Sequence, residues 1–123
     1  MSNVGICGAG LIGASWAVGF ASNSYNVFVY DSNHDILSNF FKTVDQLADD
    51  LKIFKNVDLN ELKSNIKICD DLREICQDSL IIQESIVEDL EEKQKIFSEL
   101  EKHSSIDTIL ASSSSYLLPS KIS

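Results

Sequence analysis

The chain has 123 residues, 44% of them apolar and 24% charged, enough for one domain with a real core and too few for two. Its formal net charge of −9 and its single arginine, Arg73, exclude the basic footprint of a duplex nucleic-acid binder and a polybasic membrane-surface patch. Three cysteines, Cys7, Cys69 and Cys76, have no CxxC or Cys/His ligand spacing. They read as reduced, buried thiols of a cytoplasmic protein with no metal site.

Taken in chain order, residues 4–7 form a short apolar run that predicts a buried strand, and Gly8, Gly10 and Gly13 follow at GxGxxG spacing. The spacing predicts a helix over 11–22, with Ile12, Ser15, Trp16, Gly19 and Phe20 on one face. A second strand is predicted over 27–30 and ends on Asp31. Residues 1–30 carry no charge, so a signal peptide or membrane span has to be weighed. No basic segment precedes the apolar stretch, and Ser22, Asn23 and Ser24 break it, which favours strand–turn–helix–strand.

A helix over 35–54 is predicted from the stripe of Ile36, Phe40, Val44, Leu47 and Leu51. A short helix or turn at 60–65, a weak strand at 66–69, a short helix at 70–76 and a fourth strand at 80–83 follow. Residues 88–103 read as a helix with Leu90, Ile96, Phe97 and Leu100 inward. Its outer face pairs Asp89 with Lys93 and Glu91 with Lys95 at i, i+4. A fifth strand over 108–111, a serine loop at 112–115 and a helix opening near Pro119 complete the pattern. Strands alternating with helices mean parallel strands and right-handed crossovers. The expected fold is therefore α/β: a doubly wound, Rossmann-type, mostly parallel sheet in the order 3-2-1-4-5.

The glycine turn has a definite chemistry. Gly8 permits the tight turn, Gly10 leaves the backbone open to a pyrophosphate, and Gly13 lets the helix lie close on the strand. The free N–H groups and dipole of the following helix face the phosphates. Asp31, about twenty residues on, is placed to accept bonds from a ribose and to repel a 2′-phosphate. No Arg or Lys stands at 32–35, so NAD is expected over NADP. A near-match to GxSxG around Ser15 falls on the helix and not on its opening turn, so it is no nucleophile elbow. His34 and His103 read as exposed or helix-capping, not catalytic.

The segment IIQESIVEDLEEKQKIFSELEKHSSIDTILASSSSYLLPSKIS resembles the L-3-hydroxyacyl-CoA dehydrogenase superfamily, whose members read VIEA-x-x-E-x-x-x-x-K and then ILASNTS. The variants QES and ASSSS-x-LLPSK, with GLIGASWAVGFAS, are most similar to its lambda-crystallin (L-gulonate 3-dehydrogenase) branch, followed by L-carnitine dehydrogenase. The resemblance implies a cofactor turn made by Gly8, Ala9, Gly10, Leu11, Ile12 and Gly13, with Asp31 on the adenosine ribose. It implies that Glu88 and Lys93 contact the nicotinamide half of NAD and that Ser115 contacts the substrate's reacting oxygen. Ser113 and Ser114 depart from the Asn and Thr of ASNTS, which weakens any transfer of that asparagine's role.

The implied reaction moves hydride from the 3-hydroxyl of an L-3-hydroxy acid or 3-hydroxyacyl-CoA to NAD, with a histidine as general base. That histidine is expected on a strand beyond residue 123, and the dimerising helical domain beyond that. The chain is therefore expected to be the NAD-binding part of a homodimeric dehydrogenase and inactive alone. The alternatives are a module whose catalytic half is another chain, and a non-catalytic or crystallin-like remnant. The scarcity of basic residues leans away from a CoA thioester, towards a small hydroxy acid such as L-gulonate or carnitine.

Overall fold

A computed structural model describes residues 2–51, 58–86 and 90–112. Five parallel strands, β1 (Asn3–Cys7), β2 (Asn26–Tyr30), β3 (Ile66–Ile68), β4 (Ser79–Glu84) and β5 (Ile109–Ser112), form one sheet in the order β3-β2-β1-β4-β5. This is the expected doubly wound topology. The chain runs outward from β1 to β3, then crosses back to β4 beside β1. The crevice between β1 and β4 is thus the topological switch point, where ligands bind in open α/β sheets.

The helices are α1 (Leu11–Ser22), α2 (His34–Ser38), α3 (Phe40–Leu51), α4 (Leu59–Ser64), α5 (Leu72–Cys76) and α6 (Leu90–His103). One core lies on the face covered by α1 to α4 and includes Val4, Ile6, Val29, Phe40 and Val44. The other lies under α5 and α6 and includes Cys7, Ile75, Ile82, Phe97 and Leu100. Burial on both faces accounts for the uncharged strands β1 and β2.

Several sequence expectations change, among them the fifth strand, which runs over Ile109–Ser112 and so takes Ser112 out of the expected loop. The face of α1 that carries Ile12, Ser15 and Trp16 points to solvent; Gly13, Ala14, Ala17, Val18 and Ala21 are buried instead. A helix lying close on a sheet admits only small side chains, so the bulkier stripe is the outer one. Trp16 and Phe20 stack there with ring centroids 5.9 Å apart. The helix predicted over 35–54 is broken at Asn39, whose amide caps α2 while Phe40 opens α3. The break rotates the stripe, so Leu37 is buried and Ile36 exposed; residues 52–54 lie outside the described residues. Lys93 is not on an outer face. It is buried and bonded to Glu84. Helix α6 is described from Leu90, and Asp89 lies outside the described residues. Finally, β4 extends one residue past Gln83, to Glu84.

Short side-chain caps start the small helices. Asn33 caps α2 through the amides of Asp35 and Ile36, Asp58 caps α4, and Asp71 caps α5. Arg73 also grips the Asp71 carboxylate and holds it at about 2, well below the usual range.

Candidate cofactor site

Register places Tyr30, Cys7, Glu84 and Ser112 in one row across β2, β1, β4 and β5, the last residues of their strands. Among the described residues, three segments leave the carboxyl edge just beyond this row. The glycine turn leaves β1 there, Asp31 follows β2, and Ser85 follows β4.

Each glycine of the turn answers a different demand. Gly8 has φ +114°, a conformation that L side chains rarely adopt, and its amide donates to the Tyr30 carbonyl at 2.8 Å. A Cβ on Gly8 would also meet the Ser85 carbonyl carbon at 2.8 Å. A Cβ on Gly13 would lie 1.7 Å from the Gly8 carbonyl oxygen, so α1 can pack on the turn only through glycine. Gly10 is different, because a Cβ there would meet nothing within 4 Å. The fold does not need a glycine at that position. The open space over the first turn of α1 does.

Gly10 is also the N-cap of α1, with no side-chain cap and no acidic residue in the first turn. The amides of that turn have no intrahelical partner, and they carry the positive end of the helix dipole. Leu11 and Ile12 flank them at 63% and 47% exposure. An uncapped helix start with an open glycine and bare backbone donors fits a pyrophosphate.

Asp31 is built into the same turn. Its Oδ2 accepts from the Ala9 amide and its Oδ1 from the Asn33 amide, each at 2.8 Å. Each carboxylate oxygen keeps a second lone pair that a ribose hydroxyl can use. The loop after Asp31 touches α6, since the Ser32 hydroxyl donates to Glu92 at 3.3 Å.

On the other side of the switch point stands a buried polar cluster that sequence reasoning missed. The Glu84 carboxylate is 0% exposed and the Lys93 residue 3%. Lys93 Nζ donates to Glu84 Oε2 at 3.1 Å, the Ser112 hydroxyl donates to Oε1 at 2.5 Å, and the Ile86 amide donates to Oε2. Buried charges survive only when paired and hydrogen-bonded, and Glu84 is both. Glu84 is the acid that ends an uncharged run, as Asp31 ends the run of β2, but nothing in that run shows which side chains meet it. Beside it the Cys7 thiol is pushed far up by burial, then by the charges of Glu84 and Asp31.

Of the sequence-predicted residues, Gly8, Ala9, Gly10, Leu11, Ile12, Gly13 and Asp31 come together at one turn. Lys93 lies across the switch point. Glu88 and Ser115 fall outside the described residues. His103 ends α6 and pairs with Glu99 at 3.3 Å, at the edge of the sheet opposite the glycine turn, and His34 opens α2 in solvent. The Ser15 hydroxyl is engaged with the Leu11 carbonyl within α1. All three cysteines are buried and free. Among the described residues no His/Cys/Asp/Glu group could hold a metal, and no helix is long and apolar enough to cross a membrane.

Comparison with known proteins agrees with this architecture. Residues 3–123 match the family model described as 3-hydroxyacyl-CoA dehydrogenase, NAD binding domain. A lambda-crystallin homolog of Bos taurus is 39% identical over 97% of this chain and 38% of its own length. The L-carnitine dehydrogenase of Oceanobacillus iheyensis is 26% identical over 99% of this chain and 39% of its own. The solved structure of a diketoreductase superposes with a TM-score of 0.84 at 30% identity, over 99% of this chain and 44% of that one. The chain thus spans about two fifths of the length of the curated relatives it matches. By its match to that family model over residues 3–123, the chain belongs to the 3-hydroxyacyl-CoA dehydrogenase family, as an NAD-binding domain.

Proposed function

We propose that this chain holds NAD across the β1/β4 crevice for hydride transfer from the 3-hydroxyl of an L-3-hydroxy acid or 3-hydroxyacyl-CoA. The observation that carries the reading is Gly10, a glycine whose missing side chain the protein itself does not require. In this reading Gly10, Leu11, Ile12 and Gly13 at the opening of α1 hold the pyrophosphate, Ala9 shapes the turn through its amide bond to Asp31, and Asp31 takes the adenosine ribose. The nicotinamide half lies over β4 and the start of α6, near Lys93 and Glu88, and Ser115 orients the substrate oxygen. Bound NAD supplies the hydride acceptor. The chain's residues bind and orient it, and the alcohol proton needs a base. In this reading neither His34, exposed at the start of α2, nor His103, paired with Glu99, serves as that base, and residues 1–123 alone are expected to bind the cofactor without turnover.

Among substrates, a small hydroxy acid such as L-gulonate or carnitine suits the net charge of −9 better than a CoA thioester. The L-carnitine dehydrogenase relative lends this some support. A cytoplasmic, homodimeric dehydrogenase completes the proposal; the three free thiols suit a reducing compartment. The placement of the two histidines also favours a second reading, a non-catalytic NAD-binding module or crystallin-like remnant. Turnover assays of the whole gene product against L-gulonate, carnitine and 3-hydroxybutyryl-CoA separate the two.

Calorimetric titration of the folded protein tests the cofactor reading. NADH is expected to bind and NADPH to bind at least about tenfold more weakly, because Asp31 opposes a 2′-phosphate. Asp31→Ala is expected to weaken NADH by about 1–3 kcal/mol, the scale of hydrogen bonds to a charged group. A folded sample with no NADH affinity would remove the proposal, and an unchanged Asp31→Ala variant would remove Asp31 from the site.

A further inference from the structure

Glu84 has no place in the site as proposed above, yet its carboxylate is the most completely enclosed charge described in the molecule, at 0% exposure. Its partners come from three segments: Ile86 from the loop leaving β4, Lys93 from α6 and Ser112 from the end of β5. The next residue, Ser85, lies directly against Gly8, where a Cβ would strike it, and its amide donates to the Cys7 carbonyl at 2.8 Å. One carboxylate therefore fixes the β4 loop, the ammonium of α6 and the β5 exit relative to the pyrophosphate turn. A stability role alone would not require a charge here. A buried ion pair often contributes no more to folding than an apolar replacement of similar volume. What it does provide is a fixed position for the ammonium.

We propose that Glu84 is a positioning residue for the nicotinamide half of the cofactor, acting through Lys93 and Ser112. The proposal rests on the NAD-binding reading above. Glu84 touches neither cofactor nor substrate in this scheme; it holds the Lys93 ammonium at the carboxyl edge of β4. Glu84→Gln keeps the shape and can still bond Ser112 and the Ile86 amide, but removes the Glu84 charge that faces the Lys93 ammonium.

The test compares NADH with ADP-ribose, which lacks the nicotinamide, by calorimetry on the same protein, with thermal melts as a folding control. Glu84→Gln is expected to weaken NADH about tenfold, the loss of one charge-assisted hydrogen bond, and to leave ADP-ribose within about twofold. Lys93→Met should give a similar loss, and the double variant should be no worse than Lys93→Met alone, because coupled neighbours are not additive. Equal losses for both ligands would mark Glu84 as merely structural, and an unchanged NADH affinity would also overturn the proposal. Should Glu84→Gln fail to fold, Ser112→Ala, at a half-buried position, carries the test: the same split, about threefold, is expected because the carboxylate loses one of its anchors but keeps its bond to Lys93, and no split overturns it. If the unaltered protein binds ADP-ribose but gains nothing from the nicotinamide, the placement of that half under the proposed function fails as well. If it binds neither, the cofactor reading itself is at fault.

Discussion

Gly10 and Gly13 belong to one motif but differ in what they serve. Gly13→Ala would drive a Cβ to 1.7 Å from the Gly8 carbonyl oxygen. A backbone oxygen cannot retreat without moving the turn, so a loss of about 1–3 kcal/mol in stability is expected, the scale of overpacking. Gly10→Ala meets nothing in the protein, so its melting temperature should stay close to that of the parent while NADH affinity falls at least about tenfold. Paired melts and titrations check this; a Gly10→Ala protein with full NADH affinity would show that no ligand uses the open space. The turn-forming demands on Gly8 and Gly13 and the placement of Asp31 beside the turn were legible because the motif's spacing and its place after a strand fix their surroundings. Glu84 was not. Its importance comes from Lys93 and Ser112, which lie on other elements, and spacing along the chain does not show which side chains meet across a sheet edge.

At the level of elements, all five strands and the α-helical pattern were readable from apolar runs and periodicity, and the errors have physical causes. In α1 the period was right but the face was inverted. Apolar periodicity favours large side chains, whereas close helix–sheet packing selects Gly13, Ala14, Ala17 and Ala21. In the segment after β2 the stripe ran unbroken through Asn39, although Asn33 and Asn39 mark the two ends of a five-residue helix. That break lets Phe40 turn into the core, where it is fully buried among Val29 and Val44 and meets Phe41 edge-on with centroids 5.7 Å apart. Phe40→Ala is accordingly expected to cost about 3–5 kcal/mol. Urea denaturation measures it, and a loss below about 1 kcal/mol would mean that the core closes over the gap.

For the molecule as a whole, strand order followed from the alternation of strands and helices, because right-handed crossovers leave few topologies open. The buried thiols give the protein a pH signature. Burial raises Cys69 to about 11 and pushes Cys76 and Cys7 up as well, from an ordinary value of 9.0. As pH rises above that ordinary value, the unfolded chain loses thiol protons that the folded one retains. This contribution to stability is therefore full below about pH 9 and declines as pH approaches and passes 11. Melts at about pH 8 and about pH 10.5 should show the decline, and Cys69→Ala should show less of it; an equal decline would assign the effect to other groups. The Asp31 carboxylate carries a last consequence. It ties the turn after β1 to the end of β2 through the Ala9 amide. A redesign toward NADP that replaces Asp31 with a small neutral residue therefore removes a crosslink between two strands along with a repulsive charge. Cofactor preference in this chain is not an independently adjustable trait: a successful exchange must bring a new acceptor for the Ala9 amide together with the new cation for the phosphate.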